Sequence, residues 1–160
     1  MTASDHKDST LAVRKALLSL QKELLDALKD QFQKESGREV PPAEWLQVLM
    51  MSQRYLWMRE LTTLIADIDL LTEIDVITEE QASTARHEVE RMLFNSDEAG
   101  DFQKQYKNLL KAGPHLMLHH GHLKTAVNPL PKSTHTDEAA AEKRKSWHET
   151  HRQQARKKRN

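Results

Sequence analysis

The sequence predicts an all-α fold, in which a compact bundle of five to six helices precedes a flexible basic C-terminal tail. Apolar residues recur at helical spacing through most of the first 128 residues. The chain has only four glycines and five prolines, and most of these separate the apolar segments. With 160 residues and 38% hydrophobic content, it has the size of one domain plus a tail. We therefore divide it into a disordered N-terminus at 1–8, a bundle at 9–128, and a proline-bounded linker with the basic tail at 129–160.

The first predicted helix runs from about Ser9 to about Glu35. Its apolar residues recur every seven positions at Leu11, Leu18, Leu25 and Phe32, with Leu17, Leu24 and Leu28 beside them. Such a stripe is typical of a helix in a bundle. A seven-residue repeat also suits a coiled coil, so a structural homodimer through this helix is an alternative. The adjoining leucines make the stripe wider than a two-position seam, which favours packing inside one chain.

A second and a third helix are predicted after Gly37, which is a suitable C-terminal stop. Pro41 and Pro42 begin the second helix, because proline suits a first helical turn. Its expected buried face consists of Trp45, Leu46, Leu49 and Met50. The third helix buries Trp57, Leu61, Leu64, Ile65, Ile68 and Leu71. Residues 52–54 contain neither Gly nor Pro, so they allow a break or a continuation, and we favour a short turn.

Three more helices complete the predicted bundle. Thr78 opens the first of them with a capping box, in which its hydroxyl accepts a hydrogen bond from the backbone N–H of Gln81. The buried face of that helix is predicted to be Ala82, Ala85, Val89, Met92 and Leu93. The next helix begins near Ser96 or Asp97, and its face is Phe102, Tyr106, Leu109 and Leu110. Gly113 and Pro114 then mark a boundary, and a last helix extends to about Val127.

The run from about residue 14 to about residue 71 resembles a set of small all-helical bacterial proteins of unknown function. The order of features is shared: a leucine-rich helix, the turn G-R-E-V, an apolar helix, and the motif W-M-R-E-L-T-T-L-I at residues 57–65. The resemblance implies a bacterial cytoplasmic helical domain and brings no activity with it. The apolar members of the motif coincide with the buried face of the third helix, whereas Arg59 lies off that face.

Composition argues against the common classes of enzyme. Without cysteine the chain has no thiol nucleophile, thiolate metal site or disulfide. Its four glycines form no phosphate-binding loop and no nucleophile elbow. We therefore expect no enzyme and no cofactor. The most apolar region, residues 45–71, is interrupted by charges, so we expect no membrane contact and a cytoplasmic location.

A histidine cluster lies in the last predicted helix of the bundle. His115, His119 and His122 are spaced i, i+4, i+7, which places them on one helix face. Neutral imidazoles at this spacing can bind Zn²⁺, Ni²⁺ or Cu²⁺. No H-E-x-x-H motif and no second metal-binding pattern accompany them, and Gly121 weakens the helix there. A structural role is favoured, and a metal-binding helical protein is the alternative.

The charge distribution indicates a role for the tail. Residues 132–160 hold nine basic and four acidic residues, whereas residues 1–131 hold 15 basic and 20 acidic ones. A basic tail on an acidic body commonly contacts a polyanion. Its competing roles are contact with an acidic protein, including its own body, or no specific contact. The residues offered to nucleic acid are Lys143, Arg144, Lys145, Trp147, Arg152, Arg156, Lys157, Lys158 and Arg159.

These features together predict a non-catalytic bacterial binding or adaptor protein. In this interpretation the bundle docks on a protein partner, and the tail contacts nucleic acid or a ribonucleoprotein.

Overall fold

The computed structural model describes residues 3–95 and 100–159. Within them the protein is all-helical, with seven α-helices, one short 3-10 helix and no strand. The α-helices are α1 (Ala3–Ser36), α2 (Pro42–Met51), α3 (Met58–Thr72), α4 (Glu79–Leu93), α5 (Asp101–Ala112), α6 (Pro114–Val127) and α7 (Asp137–Arg159). The all-α class is confirmed. The predicted count of five to six helices is too low because the tail forms a helix of its own.

The core lies around α1, which packs against α6, α3 and α4. α5 contacts α4 and α6, and α7 covers α3 and α4. The buried apolar residues of the bundle and the linker, together with Trp147 of α7, form one continuous cluster. The linker and the tail therefore share the core of the bundle.

The first helix begins at Ala3, so the prediction of disorder over 1–8 does not hold for residues 3–8. His6 is buried, and the Thr10 hydroxyl donates a hydrogen bond to its carbonyl. Lys7 donates to the carbonyl of Ile74, with 3.1 Å between Nζ and the oxygen. The polar composition of this segment gives no indication that His6 is buried or that Lys7 reaches Ile74.

The orientation of α1 differs from the simplest interpretation of its heptad repeat. Leu17 and Leu24 are fully buried, whereas Leu11 and Leu18 are 40% and 39% exposed. Successive residues of a helix are about 100° apart, so Leu17 and Leu18 cannot both face the same neighbours. The bundle buries Leu17 and Leu24, whereas Leu11 and Leu18 remain exposed and Leu25 and Phe32 are partly buried.

The second helix also exposes residues that were predicted to be buried. Within α2, all of which the structure describes, Trp45 alone is buried, and Leu46 and Met50 are 57% and 65% exposed. Trp45 fits between Phe32 and Tyr55, with ring centroids 5.8 Å and 5.4 Å away. Trp45 therefore anchors α2 against the end of α1, Val48 and Leu49 pack partly against the core, and Leu46, Met50 and Met51 remain exposed.

The local signals between residues 37 and 93 are confirmed. Gly37 has a φ of 71°, a left-handed conformation that suits glycine after a helix. α2 ends at Met51, and a 3-10 helix, Gln53–Tyr55, forms the expected turn. The capping box of Thr78 and Gln81 is present. All the apolar residues predicted to be buried in α3 and α4 are buried.

The predicted boundaries of the later helices agree in part with the structure. α5 begins at Asp101, and the predicted starting points Ser96 and Asp97 lie outside the described residues. Phe102 and Tyr106 are buried as expected. Pro114 occupies the first turn of α6.

The prediction of a flexible tail is wrong. Trp147 is fully buried against the bundle, at the middle of a 23-residue helix. The linker before it is also fixed, because Leu130 is buried and Arg86 donates to the carbonyls of Asn128 and Leu130, at 3.1 Å and 2.6 Å. A sum of charges along the tail does not reveal that its basic side chains find acidic partners on α3 and α4.

Among the described residues, no helix is both long and apolar enough to cross a membrane.

Candidate functional site

The nine tail residues predicted to contact nucleic acid divide into two groups on α7. Those that face the body are Lys143, Arg144, Trp147 and Lys158. Those on the exposed side are Lys145, Arg152, Arg156, Lys157 and Arg159. Arg144 and Trp147 are buried against the body, and Lys143 and Lys158 form ion pairs with Glu80 and Asp75 at its surface.

Arg144 makes the central contact of α7 with the body. Its Nε lies 2.6 Å from Oδ2 of Asp67 on α3, and its Nη1 lies 3.3 Å from Oε1 of Glu88 on α4. The Arg144 and Asp67 side chains are 12% exposed and that of Glu88 only 1%. Charges this deeply buried need a partner, because desolvation costs several kcal/mol per ion.

Histidines of α7 bind the same acidic surface, although the sequence pattern did not predict it. His148 Nε2 lies 2.9 Å from the second carboxylate oxygen of Asp67, and His151 Nε2 lies 2.6 Å from Glu73. Gln154 accepts from the backbone N–H of Asp75 and donates to the carbonyl of Glu73. Helical spacing from Trp147 would have placed residues 151 and 154 on its face.

The exposed group is concentrated at the end of α7. Arg152 pairs with Glu149 three residues before it, at 2.7 Å. Arg156, Lys157 and Arg159 have no ion pair with any residue that the structure describes. Their positive charges lie at the C-terminal end of α7, where the helix dipole is negative. Basic side chains at that end stabilise the helix.

The predicted metal ligands are brought together only in part. The rings of His119 and His122 lie 5.8 Å apart, and His119 Nε2 lies 3.6 Å from Glu23 of α1. His115 is exposed in the groove between α1, α5 and α6. Across residues 3–95 and 100–159, no group of three or more His, Asp or Glu is arranged to hold a metal ion. Metal binding by this cluster stays a prediction.

His120 is the histidine of this helix that packs into the bundle. Its Nδ1 lies 2.7 Å from the Tyr106 hydroxyl, and its ring contacts Phe94 edge to face. Burial, and then the charge of Lys124, lower the pKa of His120. Burial also raises the pKa of Tyr106. Both side chains are therefore neutral near pH 7, and the hydrogen bond joins a neutral hydroxyl to a neutral imidazole.

A Ser-His-Asp set lies beside a cleft of about 560 Å³ between α4 and the linker. His87 Nδ1 is 3.1 Å from the Ser133 hydroxyl, and its Nε2 is 2.7 Å from Asp137. In serine hydrolases Nε2 faces the serine and Nδ1 the aspartate, so the two nitrogens are exchanged here. Ser133 also accepts from the backbone N–H of His135, as a turn residue does. We assign the set to fastening the linker and the start of α7.

An apolar groove lies between α1 and α2, and we call it the α1–α2 surface. It measures about 410 Å³, within the range of ligand-binding clefts. Its apolar lining consists of Leu18, Leu25, Pro42, Trp45, Leu46 and Leu49. Met50 and Met51 continue the exposed apolar area along α2.

Two ion pairs connect the segments that border the α1–α2 surface. Arg54 binds both carboxylate oxygens of Glu35 at the end of α1, at 2.6 Å and 2.9 Å. Arg38 makes the same bidentate contact with the carboxylate of Glu44 on α2. Each arginine lowers the pKa of its carboxylate by hydrogen bonding. The position of α2 therefore does not depend on Trp45 alone.

Lysines border the α1–α2 surface on one side. Lys22 and Lys29 line the groove together with Asp26, and Lys15 extends the series by seven residues towards the N-terminus. These lysines have no ion pair with any described residue. The rim of the groove is therefore basic, although residues 1–131 as a whole are acidic.

The chain matches no protein-family model, and it has no significant match among curated proteins or solved structures. The resemblance of residues 14–71 to helical bacterial proteins therefore stays a prediction.

We predict that Arg144→Met lowers the free energy of unfolding by about 3 kcal/mol, because it leaves Asp67 and Glu88 buried without their shared cation. The matched control is Arg152→Met on the same helix, which breaks an exposed pair and should cost less than about 1 kcal/mol. Denaturant unfolding measures both. Equal losses in the two variants would contradict a special role for Arg144.

A second prediction concerns the pH dependence of stability. Because the pKa of His120 is lowered in the folded protein, the unfolded chain takes up this proton first as the pH falls through 6.5. The stabilisation that the neutral imidazole of His120 contributes is therefore lost as the pH falls. His120→Asn keeps an acceptor for Tyr106 and removes the titration.

The difference in unfolding free energy between native protein and His120→Asn should shift in favour of the variant from about pH 7.5 to about pH 5.5, by at most about 1.4 kcal/mol per pH unit. The other histidines are common to both proteins and cancel. A difference that does not change with pH would contradict the prediction.

Proposed function

We propose that the protein is a non-catalytic cytoplasmic adaptor whose helical bundle binds a protein partner through the α1–α2 surface. The observation that carries this proposal is the apolar exposure of two adjacent helices. Leu18, Leu46 and Met50 are all exposed there, and Met51 is 77% exposed. Single exposed apolar side chains are ordinary, but a continuous apolar area on a monomer marks a contact site.

The shape of the area supports the same proposal. Leu46 and Leu49 of α2 face Leu18 and Leu25 of α1 across the groove. Trp45, at 7% exposure, forms part of the lining between them. A buried aromatic beneath an apolar rim resembles the centre of protein interfaces, where a few such residues supply most of the binding energy.

The non-catalytic part of the proposal rests on the chemistry of the clefts. The nearest arrangement to a catalytic set, Ser133 with His87 and Asp137, is used to fasten the linker. Covalent labelling of Ser133 by a fluorophosphonate would contradict this assignment.

Site-specific photo-crosslinking in cells that produce the protein tests the adaptor function. A photo-crosslinking amino acid in place of Leu46 should form a discrete adduct with another protein. The same amino acid in place of Lys145, which is exposed on the far side of α7, should not. Adding Leu18→Ser to the Leu46 variant should remove the adduct, because it removes apolar area from the groove.

The absence of an adduct at position 46, or an identical pattern of adducts at positions 46 and 145, would overturn the proposed function. Circular dichroism of each variant excludes unfolding as the cause.

A second candidate function is contact with a polyanion through the end of α7. The observation that favours it is the unpaired, exposed group of Arg156, Lys157 and Arg159, held on a helix that is fixed to the body. Arg152, Arg156 and Arg159 follow the spacing i, i+4, i+7, which aligns them over about 10 Å of one helix face. Such a row suits a phosphate backbone.

Salt-dependent titration with labelled RNA and duplex DNA tests this second function. Replacing Arg156, Lys157 and Arg159 with Gln should weaken binding. On duplex DNA it should also reduce the slope of log K against log salt by about 0.9 for each phosphate that the protein no longer neutralises. The control replaces Lys15, Lys22 and Lys29 with Gln, which removes the same charge from α1. Equal effects of the two triple variants would show that net charge alone is responsible.

A further inference from the structure

We propose that the partner at the α1–α2 surface presents an amphipathic α-helix with acidic residues along one flank of its apolar face. This inference rests on the proposed function and adds the chemical class of the partner. It is carried by three properties of the surface: the repeat of its apolar residues, the position of its lysines, and its charge relative to the body.

The apolar repeat matches another helix. Leu11, Leu18 and Leu25 are each seven residues apart along α1, so they recur about every 10 Å. Leu11 and Leu18 are exposed, and Leu25 is partly buried and lines the groove. A second helix presents its own apolar side chains at the same interval, one for every two turns. An extended strand repeats every second residue and does not match this interval. The surface therefore fits the mode in which a helix lies in a hydrophobic groove.

The lysines specify the charge of the bound helix. Lys15, Lys22 and Lys29 recur at the same seven-residue interval and lie within about 60° of the leucine series around the axis of α1. A helix packed on the leucines would bring its flanking residues beside these ammonium groups. Carboxylates at those positions would form ion pairs that no intramolecular partner replaces among the described residues. Basic residues at those positions would be repelled.

The same charges disfavour a second copy of the chain in this position. In an antiparallel pair related by a two-fold axis, equivalent flanks face each other. The lysine row of one copy would then lie beside the lysine row of the other. Like charges across a helix interface discriminate against that pairing.

Binding of designed peptides tests the proposal. The probe is a labelled helical peptide of about three heptads, with Leu on one face and Glu on both flanks of that face. Two control peptides carry Lys in place of Glu, or Ser in place of Leu. Fluorescence anisotropy should show at least tenfold tighter binding of the acidic peptide than of either control, and the preference over the basic peptide should decrease as salt rises.

Two protein variants assign the binding to the groove. Lys22→Glu combined with Lys29→Glu should reverse the preference and favour the basic peptide. The matched control, Lys157→Glu combined with Arg159→Glu, makes the same change of charge at the far end of α7 and should leave the preference unchanged. All four substituted residues are at the surface, so the fold is expected to persist in both variants.

Three results would overturn the proposal: no binding of the acidic peptide, equal binding of the acidic and basic peptides, or an equal effect of the two double variants. Light scattering on the protein alone can give a fourth result that would overturn the proposal. A dimer that Leu18→Ser dissociates would assign the groove to a second copy of the chain. A specific adduct at position 46 together with no acidic-peptide binding would retain the adaptor function and reject only the class of partner.

Discussion

The contact of Arg144 with Asp67 and Glu88 is the interaction on which the arrangement of α3, α4 and α7 depends. Both carboxylates belong to the bundle and are buried. Arg91 of α4 also contacts Glu88, and His148 of α7 also contacts Asp67, but among the described residues Arg144 alone reaches both. Trp147 fills an apolar site one turn later on the same helix. The C-terminal helix is therefore a structural part of the domain, and its basic composition reflects this first.

The first helix differs from α7, because part of its apolar surface is not covered by the bundle. Leu17 and Leu24 are in the core, while Leu11 and Leu18 remain exposed and Leu25 is partly buried in the groove beside α2. Two exposed arginine pairs, Arg38 with Glu44 and Arg54 with Glu35, lie at the two ends of α2. Leu11 and Leu18 are 40% and 39% exposed after folding, and Leu18 lines the groove together with Leu46. This uncovered apolar surface is the physical basis for assigning contact with another protein to this side of the molecule.

Local signals in the sequence predict much of the fold. The capping box at Thr78, the left-handed Gly37, and the faces of α3 and α4 depend on residues within a few positions of one another, and the structure confirms them. The choice between the two leucine series of α1 depends on where α6 lies, and periodicity does not contain that information. The burial of α7 depends on pairs of residues far apart in the chain. Arg144 and Asp67, for example, are 77 positions apart.

The candidate sites also combine features that are evident in the sequence with features that depend on residues far apart in the chain. The basic residues of the tail are evident in the sequence, but which of them remain exposed depends on the acidic groups of α3 and α4. The groove between α1 and α2 arises because leucines that a wheel diagram assigns to the core face outward. Two features of the sequence are consistent with a docked tail: the lone aromatic Trp147 in a charged segment, and the opposite charges of the tail and the body. Each of them also suits contact with nucleic acid, and the sequence alone does not decide between the two.

The distance along the chain between Arg144 and its two carboxylates also has a consequence for biosynthesis. Asp67 and Glu88 are translated well before Arg144, which is 77 and 56 residues behind them. Until α7 has left the ribosome, Asp67 lacks its arginine partner, and Glu88 has only Arg91 of its own helix among the described residues. The surface of α3 and α4 that α7 covers is therefore exposed to water while residues 137–159 are being synthesised. The two carboxylates stay hydrated during that time, and the cost of their desolvation falls on the docking of α7.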